Sequence, residues 1–255
     1  MLQSVRRPSM LWLLSEPSRA LFELGLSVPF NSLKNKQQSG DGHAVMVLPG
    51  FMSTERSTGV LRKYIANLGY DVYDWGLGRN IGKIEHIELL LERIDEIHES
   101  TGKQISLVGW SLGGIFARQL AKERPKIVRQ IITLGSPFSG LTEPNNIEWL
   151  YMLLNGGKRV KHVNNTFLEN LPLPAPVPTT AIYSKEDGIV SWKMCMEKEE
   201  DHLHQNIQVR GSHIGLGVNP SVLSIIANRL LLKKENWIKF ETKGFINKNF
   251  VYPSL

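Results

Sequence analysis

The chain has 255 residues, 42% of them hydrophobic and 21% charged, values that suit a globular α/β domain with a sizeable core. Its 30 Lys and Arg outnumber 24 Asp and Glu to give a net charge of +6, but the basic residues form no block, so no nucleic-acid partner is expected. Cys195 is the only cysteine, which excludes an intrachain disulfide and a cysteine-based metal cluster.

In chain order, Arg6 and Arg7 precede "MLWLL", which resembles the start of a secretory signal, but Ser15, Glu16 and Pro17 interrupt the apolar run before any cleavage site. No later stretch approaches the roughly 18 apolar residues of a membrane span. The expectation is a cytoplasmic, soluble chain, with weak contact to a membrane surface through its N-terminus. Ala20, Leu21 and Leu24 predict a short helix from Ser15 to Gly25, and "NKQQSGDG" reads as a linker. Residues 1–40 are therefore a helical extension and linker, and 41–255 the domain proper.

"HAVMVL" (43–48) is a continuous apolar run, as in a strand buried on both faces of a parallel sheet. A helix ("GVLRKYIANLG") and a strand ("YDVYDW") follow, then a helical face made by Ile84, Ile87, Leu91, Ile94 and Ile97. "QISLVGW" is a strand and "SLGGIFARQLAKE" a helix; "RQIITLG", "TTAIYS" and "NIQVR" are strands, and "SVLSIIANRLLLK" is the last helix. Strands alternating with helices of this length predict a mostly parallel sheet with helices on both faces. Between the fourth and fifth strands, residues 141–178 are irregular, with an apolar helix candidate ("IEWLYMLLNGG") and a proline-rich run ("LPLPAPVP"). A stretch of that length without its own core is functional or mobile as a rule.

Chemistry concentrates at "VGWSLGGIF" (108–116), where Ser111 lies at a strand-to-helix junction with Gly109 before it and Gly113 after. A sharp turn there lifts a hydroxyl above the sheet edge, and the helix N-terminus supplies free N–H groups for developing negative charge. A serine hydroxyl needs a base, and the base an orienting acid. "YSKEDGIV" and "VRGSHIGLG" each follow a predicted strand, so Asp187 and His213 fall at strand C-terminal ends, where open α/β sheets form their crevice. Glu186 is the alternative acid, although the Asp-Gly turn favours Asp187. Oxyanion donors are expected from the N–H of Leu112 and, in the loop "LPGFMST", of Phe51, with Met52 second.

Other candidates carry less. His202 and His204 read as a solvated loop rather than a metal site, and His43, His86, His98 and His162 as a strand edge, helix surfaces and the irregular segment. The glycines of "WGLGRNIG" (75–82) do not have dinucleotide spacing and instead suit a loop at the rim of the site, with Arg79 or Asn80 facing the pocket.

Together these motifs resemble the α/β-hydrolase superfamily over about residues 43–232, and within it compact bacterial lipases and esterases. "VLPGF" is similar to their oxyanion segment, "GWSLGG" to their nucleophile elbow, "IYSKEDGIV" to their acid loop and "GSHIGLGVNP" to their histidine loop. The oxyanion segment departs in having no histidine before its glycine. The resemblance implies an α/β-hydrolase fold with a lid or cap at 141–178, and Ser111, Asp187 and His213 in triad roles. The reaction expected is cleavage of an ester, without metal or cofactor; Trp149, Leu150, Met152 and Leu153 of the apolar helix candidate suggest an apolar acyl group, plain core packing being the alternative. A serine acyltransferase or thioesterase shares these residues, and a non-catalytic binding scaffold is the rival of another class.

Overall fold

The computed structural model of the chain describes residues 8–32, 40–139, 169–242 and 251–254. Six strands form one parallel sheet: β1 Ala44–Leu48, β2 Asp71–Asp74, β3 Ile105–Trp110, β4 Val128–Leu134, β5 Thr179–Ser184 and β6 His204–Val209, in the order β2-β1-β3-β4-β5-β6. Among the described residues the helices α1 Met10–Ser32, α2 Gly59–Asn67, α3 His86–Thr101, α4 Leu112–Glu123 and α5 Pro220–Leu230 accompany it.

The strand pattern explains the layers. Every residue of β1 is buried, so its run has no polar face. Met46 and Leu48 point to the side packed by α3 and α4, with Leu90, Ile94, Ile115 and Phe116. Val45 and Val47 point to the other, with Leu61 and Ile65 of α2 and Val222 and Ile226 of α5. Alternating side chains therefore feed two cores, each buried aliphatic contributing about 1.5–3 kcal/mol relative to an exposed one. Helix ends follow their local chemistry. The Asn219 side chain accepts from the N–H groups of Ser221 and Val222 ahead of Pro220, and Gly102 at φ 67° closes α3.

Three expectations are corrected. The N-terminal helix is 23 residues long, beginning before Ser15 and running through Gly25, and its apolar side faces out. Leu21 and Phe22 are exposed, whereas Glu16, Glu23 and Ser27 are buried. Its inward partners are backbone amides, so polar residues are the ones buried. His204 is not in a solvated loop: it opens β6, buried, with Nδ1 on Asp201 at 2.7 Å and Nε2 on the carbonyl of Ala175 at 2.9 Å. The proline-rich run is core rather than lid, since Leu171, Ala175 and Val177 are buried under α4 and β5. The predicted lid helix around Trp149 and Leu150 lies outside the described residues. Arg118 of α4 ties the proline-rich run down, pairing with buried Glu197 and donating to Leu173 O at 2.8 Å. Among the described residues no helix is long and apolar enough to cross a membrane.

Candidate active site

In this strand order the chain leaves β1 toward β2 on one side and returns to β3 on the other, opening a crevice at the C-terminal ends of β1 and β3. Ser111 follows β3 and Gly50 follows β1, so one crevice receives both the candidate nucleophile and the candidate oxyanion loop. Ser111 has φ 52° and ψ −121°, a region that L residues avoid at about 1–3 kcal/mol. The neighbouring glycines enforce it. A Cβ on Gly109 would stand 2.4 Å from Gly114 Cα, and one on Gly113 2.3 Å from Leu48 O, so only glycine lets α4 start this close to β1 and β3. Ser111 begins α4, whose first N–H groups have no partner one turn back; Gly114 N bonds Ser111 O at 3.0 Å.

The candidate oxyanion loop presses on the elbow: a Cβ on Gly50 would be 3.2 Å from Ser111 Cβ. Of its two candidate donors, Met52, at φ 58°, already gives its N–H to Asn80 O at 2.7 Å. Phe51 N–H has no such bond among the described residues. Asn80, fully buried, does not face a pocket as expected. Its Nδ2 donates to Pro49 O at 2.8 Å and its N–H to Ser53 O at 2.8 Å, so the glycine-rich loop holds the oxyanion loop in place. Arg79 is exposed.

Asp187 and His213, after β5 and β6, come together. His213 Nδ1 lies 2.5 Å from Asp187 Oδ2, with both side chains almost wholly buried. The other carboxylate oxygen, Oδ1, accepts from the N–H groups of Ile189 at 2.8 Å and Val190 at 2.6 Å, which fixes the carboxylate plane. Glu186 does not share this place; it is 3.9 Å from Arg210 and partly exposed. An Nδ1–H given to Asp187 leaves Nε2 with a free lone pair. Burial disfavours charge on His213, but the Asp187 carboxylate, and behind it Glu16, outweigh burial and hold the imidazole pKa above its usual value. Trp110, the residue before Ser111, donates its indole N–H to His213 O at 3.0 Å, tying the histidine loop to the elbow strand.

Sequence reasoning missed two residues. Glu16 Oε1 accepts from Gly188 N at 2.8 Å and His213 N at 3.0 Å, and its Oε2 from Ile214 N at 2.9 Å. Glu23 accepts from Ser212 N at 2.7 Å and Asn219 Nδ2 at 3.0 Å. Both lie on α1, which thus docks on the acid and histidine loops. The seven-residue spacing that places them on one helix face was legible, but their partners are almost two hundred residues away. Cys195 is buried, and burial, with Asp187 nearby, raises its thiol pKa well above the usual value, which disfavours the thiolate.

No family model and no curated protein matches the sequence. Solved structures do match in shape. A structure of the metagenome-derived lipolytic enzymes LipS and LipT superposes with a TM-score of 0.57 at 15% identity, over 76% of this chain and 94% of that one. Aspergillus fumigatus lipase B matches with a TM-score of 0.53 at 16% identity over 79% of this chain, which spans only 54% of the fungal protein's length. A thioesterase domain from the curacin biosynthetic pathway matches with a TM-score of 0.50 at 16% identity, over 75% of this chain and 92% of the domain. With its parallel six-stranded sheet, helices on both faces and these neighbours, the chain has the α/β-hydrolase fold.

Proposed function

We propose that the protein is a serine hydrolase that cleaves carboxylic esters through an acyl-enzyme. The observation that carries this reading is the buried Asp187–His213 contact on the same sheet edge as the strained Ser111. Ser111 Oγ attacks the ester carbonyl carbon while its proton passes to His213 Nε2, and Asp187 holds the imidazole in the tautomer that can accept it. The N–H groups of Leu112 and Phe51 stabilise the oxyanion; the prior engagement of the Met52 N–H favours Phe51 over it. Collapse breaks the bond to the alcohol oxygen, which takes the proton from His213. Water then attacks the acyl-enzyme, giving a proton to His213 and returning Ser111.

An apolar acyl group is the substrate class that Trp149, Leu150, Met152 and Leu153 suit in sequence. A lipid surface is the partner that the outward apolar side of α1 suits, with Met10, Leu11, Leu14, Leu21 and Phe22 exposed and the chain carrying a net charge of +6.

The test is hydrolysis of p-nitrophenyl esters from acetate to palmitate, together with one acyl thioester, by the wild type and by Ser111→Ala. Turnover by the wild type, lower by about 10⁴–10⁶-fold in the variant, is expected. Equal rates in both proteins would remove Ser111 from the chemistry. Turnover confined to the thioester would reassign the substrate class while keeping the residues.

A further inference from the structure

The N-terminal helix has a side that sequence periodicity reads the wrong way round, and what lies under that side is the catalytic end of the sheet. Glu16 is 1% exposed, yet it is a carboxylate facing no core. Each of its hydrogen-bond acceptors is used. Oε1 takes the N–H of Gly188, next to Asp187, and the N–H of His213 itself; Oε2 takes that of Ile214. One carboxylate therefore bridges two loops that leave different strands. Arg19 Nη2, 3.1 Å from Oε1, partners the charge from the helix's own next turn. One turn further along, Glu23 repeats the arrangement on Ser212 N and Asn219 Nδ2.

The approach is close enough that the loops are cut to fit it. A Cβ on Gly188 would stand 2.4 Å from the carbonyl carbon of Trp12, and one on Gly215 2.3 Å from Glu23 Oε2. Hydrogen bonds to a charged acceptor are stronger than those to a neutral one, and the buried amides would be left unpaired without it. A merely structural acid would serve a single loop or an ion pair; this one spans the two members of the buried pair.

We propose that Glu16 is a positioning residue for the hydrolysis: from the N-terminal helix its carboxylate holds the acid loop and the histidine loop in the relative placement at which Asp187 meets His213 Nδ1. The proposal rests on the ester-hydrolase reading, and it makes the inward face of α1 a support of the active site rather than an appendage to it.

The experiment is Glu16→Gln in the full chain. Glutamine keeps the length and one acceptor oxygen but sets an NH₂ against one of the three backbone amides and removes the charge. The charged groups around His213 are Asp187, Glu16 with its partner Arg19, and Glu23 under Ser212. Removing one anion weakens support for the imidazolium. Two readouts are expected to move. In ester hydrolysis kcat falls by about ten-fold or more while KM changes less than two-fold, and the acid limb of kcat/KM against pH shifts to lower pH. In an NMR titration the imidazole resonance of His213 likewise titrates at lower pH than in the wild type. If Glu16→Gln fails to fold, Gly188→Ala displaces the helix from the acid loop with Glu16 intact, and the same selective loss of kcat is expected. A variant with lower thermal stability but unchanged kcat, pH limb and His213 titration would overturn the proposal. If the wild type cleaves no ester yet the His213 titration still moves in the variant, it is the hydrolase reading that fails and the clamp that stands.

Discussion

His213 is held between opposing influences: burial that disfavours its charge, and the Asp187 and Glu16 carboxylates that favour it and win. As the proposed general base it must be neutral, and a folded-state pKa above the usual 6.5 predicts that activity rises with pH through a limb above that value. Asp187→Asn removes the larger of the two carboxylate influences and the acceptor that fixes the tautomer. Its expected phenotype is a kcat about 10⁴-fold lower, with the residual activity following a limb displaced to lower pH. A kcat/KM profile from pH 5 to 9 for both proteins checks this, and an unmoved limb would detach Asp187 from His213. At the same scale, Asp187 was legible in sequence because an Asp-Gly turn after an apolar strand has few other uses. Its preference over Glu186 now has a geometric reason: Ile189 and Val190 turn their amides onto one oxygen and leave the other for the histidine.

At the scale of elements, legibility follows where the partner lies. β1 was readable because a strand buried on both faces shows there as an unbroken apolar run, β3, β4 and β5, which also carry Ser106, Gln130 and Thr180, because their β-branched and apolar residues alternate with helical stretches, and α3 because one face of it alone meets the sheet. The elbow was readable because its glycines answer contacts within a few residues and with the adjacent strand. α1 was misread because periodicity assumes that the apolar face turns inward, and here the inward face meets loop amides instead of a core. Asn80 was placed in the right loop but given the wrong duty, since its partners on the oxyanion loop are about thirty residues away. An apolar outer face on α1 suits an acyl-chain boundary better than water. Leu21→Glu with Phe22→Glu is expected to lower cosedimentation with vesicles of phosphatidylcholine and phosphatidylglycerol, with hydrolysis of a short soluble ester unchanged. Equal sedimentation of the two proteins would leave the lipid contact without support.

For the whole molecule, α1 docks on the loops that follow β5 and β6, so the domain and its N-terminal helix form one proposed catalytic unit. The sheet places the proposed nucleophile elbow and oxyanion loop at its β1/β3 crevice, and the proposed acid and base follow β5 and β6. Trp110 ties the first pair to the second through His213 O, and Glu16 ties the acid loop to the histidine loop through Gly188 N and His213 N. In the irregular segment between β4 and β5, Leu171, Ala175 and Val177 pack into the core beside α4. The central claim is that Ser111 is a nucleophile activated by His213, and it can be read without knowing the natural ester. Intact-mass and peptide mapping after treatment with a p-nitrophenyl alkylphosphonate should find one adduct per chain, on the peptide containing Ser111, forming far more slowly in His213→Ala and absent in Ser111→Ala. An unmodified wild type, or an adduct on another residue, would contradict it.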